Sequence, residues 1–180
     1  MNEQELEQLK YPIGRFKNPD NFTQEFLENY ISTIENFPEK LRNEVANLAE
    51  NQLDMPYREN GWTVRQVVHH CADSHINSIL RFKLALTEEN PTIKPYFEDK
   101  FAELVDSKNF PIEASLQMLE GTHKRWTALL RSLSDEDLQK TFIHPEHNRA
   151  FTLQTNIAIY AWHCNHHLAH ITSLKKRMNW

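Results

Sequence analysis

Residues 160–178, YAWHCNHHLAHITSLKKRM, carry the reading of this chain. With Ile157 just upstream, Ala161, Cys164, Leu168 and Ile171 recur at steps of three and four, the spacing that lines up along one face of an α-helix. Thr152 supplies an N-cap ahead of the run, and Lys175, Lys176 and Arg177 close it, where cations suit the negative end of the helix dipole. Four histidines ride on this helix. His163 and His167 are four apart, as are His166 and His170, so each pair can direct its rings at one point. At about 100° per residue, His163 and His167 flank the apolar stripe, while His166 and His170 point further towards solvent. The spacing therefore favours the first pair as metal ligands. Two imidazoles hold a divalent ion poorly, and a catalytic zinc site usually takes three protein ligands with one position left open, so a third ligand is expected from another helix.

Working outward, three more segments carry helical periodicity. From Asn21, the run to Leu53 places Phe22, Phe26, Tyr30, Ile34, Phe37, Leu41, Val45 and Leu48 at steps of three and four, with Pro38 predicting a kink or a break. Thr63 followed by Gln66 is a capping-box signature and predicts a second helix over about 64–87. It carries His69, His70 and His75, and its stripe of Val64, Val68, Cys71 and Phe82 nominates His75 without excluding the other two. Pro111 opens a third helix that ends near Leu133. Between these lie long connections: a short helical turn is expected around residues 97–105, another in SDEDLQK, and a loop or small hairpin around Pro145. Residues 1–20 contain two prolines and a glycine in YPIGRFKNPD and read as an extended N-terminal arm laid over the domain. The expectation is an all-α four-helix bundle over residues 21–180 with crossover connections, as a single metal-binding domain.

Composition removes other classes. The chain of 180 residues has only three glycines, Gly14, Gly61 and Gly121, too few and too scattered for a phosphate-cradling loop. A net charge of −5 offers nothing to a phosphate backbone or an anionic membrane surface, so neither nucleic acid nor membrane is expected as a partner. No apolar run reaches the roughly 18 residues of a membrane span, and the opening MNEQELEQLK lacks the pattern of a signal peptide, which makes the cytoplasm the expected compartment. Cys71 and Cys164 both fall on apolar stripes and read as reduced, packed thiols.

The block from Pro56 to Tyr96, PYRENGWTVRQVVHHCADSHINSILRFKLALTEENPTIKPY, together with HPE at 144–146 and YAWHCNHHLAHITSLKKRM, resembles the DinB-like superfamily and its YfiT-type branch of metal-dependent hydrolases. The likeness runs from Tyr11 to the C-terminus. It implies a four-helix bundle with one divalent ion per chain, zinc first and nickel second, held by three histidines. By that resemblance the second-helix ligand is the histidine eight residues after Trp62, which is His70, and the other two are His163 and His167. Where related chains carry Gly-Gln after the second histidine pair, this one has Ala169 and His170, which leaves His170 a surface residue or a support for the ligands.

The resemblance also implies chemistry. Three neutral imidazoles leave the ion cationic, able to lower the pKa of a bound water or to hold a thiol as thiolate. The leading expectation is hydrolysis of a small-molecule substrate. The alternative is a thiol S-transferase using a low-molecular-weight thiol such as bacillithiol, an activity also linked with this branch. A third possibility is a non-catalytic, metal-stabilised stress-response binding protein, which would need a fourth ligand from His166, His75 or Cys164 to close the site. Asp73, Ser74, Asn77 and Arg81 on the second helix, with Asn156 and Tyr160 on the fourth, form polar strips beside the ligands. Asp73 or Asn77 could orient an imidazole, and Arg81 could receive a carboxylate. No general base stands out. A homodimer is the expected assembly.

Overall fold

The computed structural model describes residues 2–180; Met1, the first residue of the expected arm, lies outside them. In chain order the elements are α1 (Glu3–Lys10), α2 (Gln24–Val45), α3 (Glu50–Leu53), α4 (Val64–Thr87), α5 (Glu98–Phe101), α6 (Val105–Lys108), α7 (Glu113–Arg131), α8 (Asp135–Gln139), the strands β1 (Thr141–His144) and β2 (Arg149–Thr152), and α9 (Leu153–Met178). The four long helices are α2, α4, α7 and α9, and the expected all-α bundle is the fold observed.

Its principal contacts define an unusual order. α2 packs against α7 and α9, and α4 packs against the same two. Helices consecutive among the four, α2 with α4 and α7 with α9, therefore stand diagonally across the bundle, and the connections over residues 46–63 and 132–152 cross it. A simple up-and-down bundle would place each long helix beside the next. Here the crossing sets α4 beside α9, which brings the two histidine-rich segments of the sequence face to face.

Local chemistry explains the boundaries. Thr63 Oγ1 accepts from the Gln66 N–H at 3.1 Å, and Gln66 Oε1 accepts from the Thr63 N–H at 2.9 Å, so the expected capping box starts α4. The same Gln66 side chain donates to the Ala102 carbonyl at 2.7 Å and ties the connection after α5 to the head of α4. Thr152 caps α9, and Asn179 ends it in a left-handed conformation. The hairpin around Pro145 forms β1 and β2, paired antiparallel with Phe142 opposite Phe151. It is stitched to the chain after α4, because the Ile93 N–H donates to the Ile143 carbonyl and the Ile143 N–H to that of Pro91.

Three expectations are corrected. The first half of the arm is helical rather than extended: the prolines and glycine that forbid a helix begin only at Pro12, and upstream of them a capping box between Asn2 and Glu5 starts α1. The stripe of the first long helix is Leu27, Ile31, Ile34, Phe37, Leu41 and Val45, whereas Phe26 is exposed. Successive steps of four drift by about 40° each, so the series read back from Ile34 through Tyr30 and Phe26 walks off the buried face. Pro38 does not break α2, which runs unbroken through it and ends at Val45 rather than continuing towards Leu53.

The core lies between the four long helices. Trp126, Phe37, Phe82, Phe142, Ile157 and Ile171 are fully enclosed. Cys71 and Cys164 are buried free thiols of this core, and burial pushes both well above the usual thiol range, which makes them packing groups. Among the described residues, no helix is long and apolar enough to cross a membrane.

Candidate metal centre

His70 reaches inward from α4, and His163 and His167 from successive turns of α9. Each offers one ring nitrogen, and the three nitrogens lie within 4.8 Å of one another. The Nε2 atoms of His70 and His163 are 3.3 Å apart, and the ring of His167 stands edge-on to both, with centroids 4.7 Å and 4.4 Å away. Burial, followed by the neighbouring imidazoles, drives the protonated forms out: His70 is pushed down to about 4, and His163 and His167 well below the usual range. All three are neutral at pH 7, which is the form that ligates.

This donor set suits a metal. Two ring nitrogens 3.3 Å apart, with a third closing on them, concentrate lone pairs where a cation can sit, and imidazoles are ligands for zinc and nickel alike. Among the described residues no fourth histidine, cysteine or carboxylate joins these three within the same distance. The candidates for a fourth ligand are engaged elsewhere. Cys164 is in the core, the His75 Nε2 faces His163 Nδ1 at 3.0 Å, and His166 belongs to a second cluster with His167 and His170.

That second cluster corrects the placement of His166 and His170 towards solvent, for both are buried. Periodicity measures position relative to the bundle axis and cannot register what the chain lays over the outer face. Here the arm covers it: His170 Nε2 donates to the Lys10 carbonyl at 3.0 Å, and Trp162 Nε1 donates to that of Gly14 at 3.1 Å. Tyr57 stacks on the His170 ring at 3.9 Å, and Trp162 on that of His166 at 4.4 Å.

Two cavities open from the triad. One, of about 550 Å³, is lined by His70, His163 and His167 with Tyr57, Trp62 and Arg58. The other, of about 470 Å³, is lined by His163 with Ser74, Arg81, Tyr160 and the hairpin residues His144 and His147. His163 and Glu98 belong to both. Of the polar strips, Ser74, Arg81, Asn156 and Tyr160 line the second cavity, and Ser74 Oγ lies 3.2 Å from Tyr160 Oη and 3.5 Å from His163 Nε2. Asp73 and Asn77 orient no imidazole: Asn77 Nδ2 donates to the Asp73 carbonyl, and burial raises the Asp73 carboxyl to about 6 with no hydrogen bond to its oxygens among the described residues.

Glu98 is the functional candidate that the sequence reading missed. It stands at the head of the one-turn helix α5, in a proline-broken connection where no periodicity points to it. Glu98 is solvent-exposed, and partial desolvation followed by the neighbouring carboxylates raises its pKa above the ordinary carboxylate value. Trp62, whose ring centroid is 4.6 Å from that of His70, forms an apolar wall over the triad.

Comparison with known proteins agrees with the fold. The sequence pattern of the DinB superfamily matches residues 33–171. Proteins of Bacillus cereus and of Bacillus thuringiensis subsp. konkukian are each 57% identical over 175 residues, covering 97% of this chain and 100% of their own, and both are named "Putative metal-dependent hydrolase". Among solved structures, YfiT from Bacillus subtilis superposes with a TM-score of 0.94 at 48% identity, covering 96% of this chain and 99% of YfiT, which is described as "a probable metal-dependent hydrolase with an unusual four-helix bundle topology".

Proposed function

The chain belongs to the DinB superfamily, and on that footing we propose that it is a metal-dependent hydrolase of small molecules. In this reading His70, His163 and His167 hold one divalent ion, zinc ahead of nickel. The observation that carries it is the convergence of three neutral imidazoles at the junction of two cavities, with no fourth histidine, cysteine or carboxylate among the described residues to close the set. When bound, the ion supplies Lewis acidity, polarising a carbonyl and lowering the pKa of water towards neutrality.

The chain's own residues supply the rest. Ser74 and Tyr160 form a hydroxyl shelf beside His163 that can hold a substrate oxygen by hydrogen bonds. Glu98 faces both cavities, and a carboxylate with a raised pKa is suited to take a proton from the attacking group and return it to the leaving group. Trp62 and Tyr57 give the arm-side cavity an aromatic lining. Metal analysis of untagged protein tests the assignment: about one ion per chain in the wild type, lost in His70→Ala, His163→Ala and His167→Ala and retained in His166→Ala, is the expected result. No ion in the wild type, or equal retention throughout, would sink it.

A second reading, thiol transfer, draws on one observation: Arg81 lines the same cavity as His163 and can receive the carboxylate of a low-molecular-weight thiol. Assays of esters and amides with and without added thiol separate the two, since only transfer depends on the thiol.

A further inference from the structure

Behind the triad stands a set of histidines that hydrolysis does not call upon. His123 on α7 and His75 on α4 are 2% and 0% exposed, and with His163 they make an unbroken file of short contacts. His123 Nδ1 is 2.6 Å from the Ile34 carbonyl oxygen, and its Nε2 is 2.7 Å from His75 Nδ1. His75 Nε2 is in turn 3.0 Å from His163 Nδ1. The file ends at His163 Nε2, which faces His70.

Its starting point follows from Pro38. In an α-helix the carbonyl of residue 34 accepts from the N–H of residue 38, and proline has none. Ile34 is fully enclosed, so its carbonyl would lose its helical partner in a place that water does not reach. His123 Nδ1 takes that position. A carbonyl can only accept, so the proton of His123 sits on Nδ1, and in a neutral ring Nε2 is then a lone pair. His75 must therefore donate from Nδ1 and accept at Nε2, and His163 must donate from Nδ1. Reversing any member would set two lone pairs against each other. Neutrality follows from the surroundings: Phe37 lies 5.3 Å and 5.8 Å from the rings of His75 and His123, Trp126 lies 6.0 Å and 5.7 Å from them, and Tyr160 is 5.4 Å from His75. No carboxylate hydrogen-bonds to either ring among the described residues.

We propose that His123 and His75 are positioning residues: anchored on the carbonyl freed by Pro38, they lock His163 in the Nδ1–H tautomer and so aim its Nε2 lone pair into the triad. The consequence for ion binding rests on the proposed role of His163 as a ligand; the tautomer itself rests on the contacts alone. A ligating histidine commonly donates its second nitrogen directly to a carboxylate or carbonyl. Here a carbonyl exerts the same control across two intervening rings, from the opposite side of the bundle.

Long-range ¹⁵N–¹H NMR on histidine-labelled, metal-free wild type reads the tautomers without any substitution. The expected result is Nδ1–H on His123, His75 and His163; Nε2–H on His163 would overturn the proposal. Zinc affinity, by competition with a chelator, reads the consequence. His75→Phe is expected to weaken binding by about 10–100-fold at unchanged stoichiometry, and His75→Gln, whose side-chain oxygen can accept from His163 Nδ1, to recover part of the loss. Unchanged affinity in His75→Phe, or equal losses in both variants, would assign the file to packing alone. Should both variants at position 75 fail to fold, His123→Phe, one ring further away, is expected to leave His163 a mixture of tautomers; a pure Nδ1–H signal there would overturn the anchoring role. A wild type with the expected tautomers and no zinc affinity would refute the hydrolase reading instead, and the two failures are thus distinguishable.

Discussion

His163 and His167 stand one turn apart on the same helix, yet they look onto opposite kinds of interior. On the deep side, towards α7, each ring nitrogen of His123 and His75 has a partner, and the file ends on a backbone carbonyl. On the shallow side, beneath the arm, the Nδ1 atoms of His166, His167 and His170 are buried with no hydrogen-bond partner among the described residues. Burial is similar in the two regions, and polar satisfaction is not. A fully partnered network fixes one arrangement of protons, whereas rings held by stacking on Trp162 and Tyr57 keep unpartnered nitrogens beside a cavity. One side of the triad is set by the fold, and the other is left adjustable.

Breaking the triad itself should have the largest effect. His163→Ala removes the one residue that belongs to the triad, the deep file and both cavities, and complete loss of the bound ion by metal analysis is expected. Next in size is Glu98→Gln, expected to lower the hydrolytic rate by roughly 10²–10⁴-fold with ion content unchanged, the signature of a lost proton acceptor rather than a lost site. Retained rate in that variant would remove Glu98 from the chemistry.

Acid should weaken both sides together. His70, His123 and His170 take up protons at about 4 in the folded chain against 6.5 when free, so below 6.5 the unfolded chain holds more protons. Stability is then full above about pH 6.5 and falls as the pH drops towards 4, by up to about 1.4 kcal/mol per pH unit for each such histidine. Urea midpoints of metal-free protein at pH 7.5 and pH 5.5 measure this, and equal midpoints would contradict it. Smallest is removal of residues 2–16, which deletes the hydrogen bonds to His170 and Trp162 and the Phe16 edge against Trp162. At about 1 kcal/mol per hydrogen bond, a melting temperature lower by several degrees is expected with the ion retained. Loss of the ion on that truncation would erase the contrast between the two sides.

What the sequence discloses follows the same division. The boundaries of α4 and α9 are legible because capping chemistry and long apolar stripes are local, and His163 and His167 are legible because a four-residue step is a helical turn. His70 is not chosen by its own helix: periodicity nominates His75, and rightly as a buried residue, since burial is all that periodicity encodes. Which ring faces the triad and which stands behind it depends on the diagonal order of the bundle, and no single helix contains that information. His166 and His170 are buried by a segment some 150 residues earlier in the chain, and Glu98 reaches the cavities from a connection with no period. Pro38 reads locally as a fault in α2, and only the position of His123 on another helix makes it an attachment point.

The hairpin around Pro145 has a bearing on inheritance. It forms a wall of the cavity that contains Arg81 and His163, it is stitched to the chain after α4 by backbone hydrogen bonds, and its turn residues Glu146 and His147 are exposed. Changes at that turn alter the shape and charge of the cavity wall while leaving the backbone stitching, the core and all three triad histidines in place. A lineage can therefore reshape this cavity through a handful of tolerated turn substitutions, with the triad unchanged behind them.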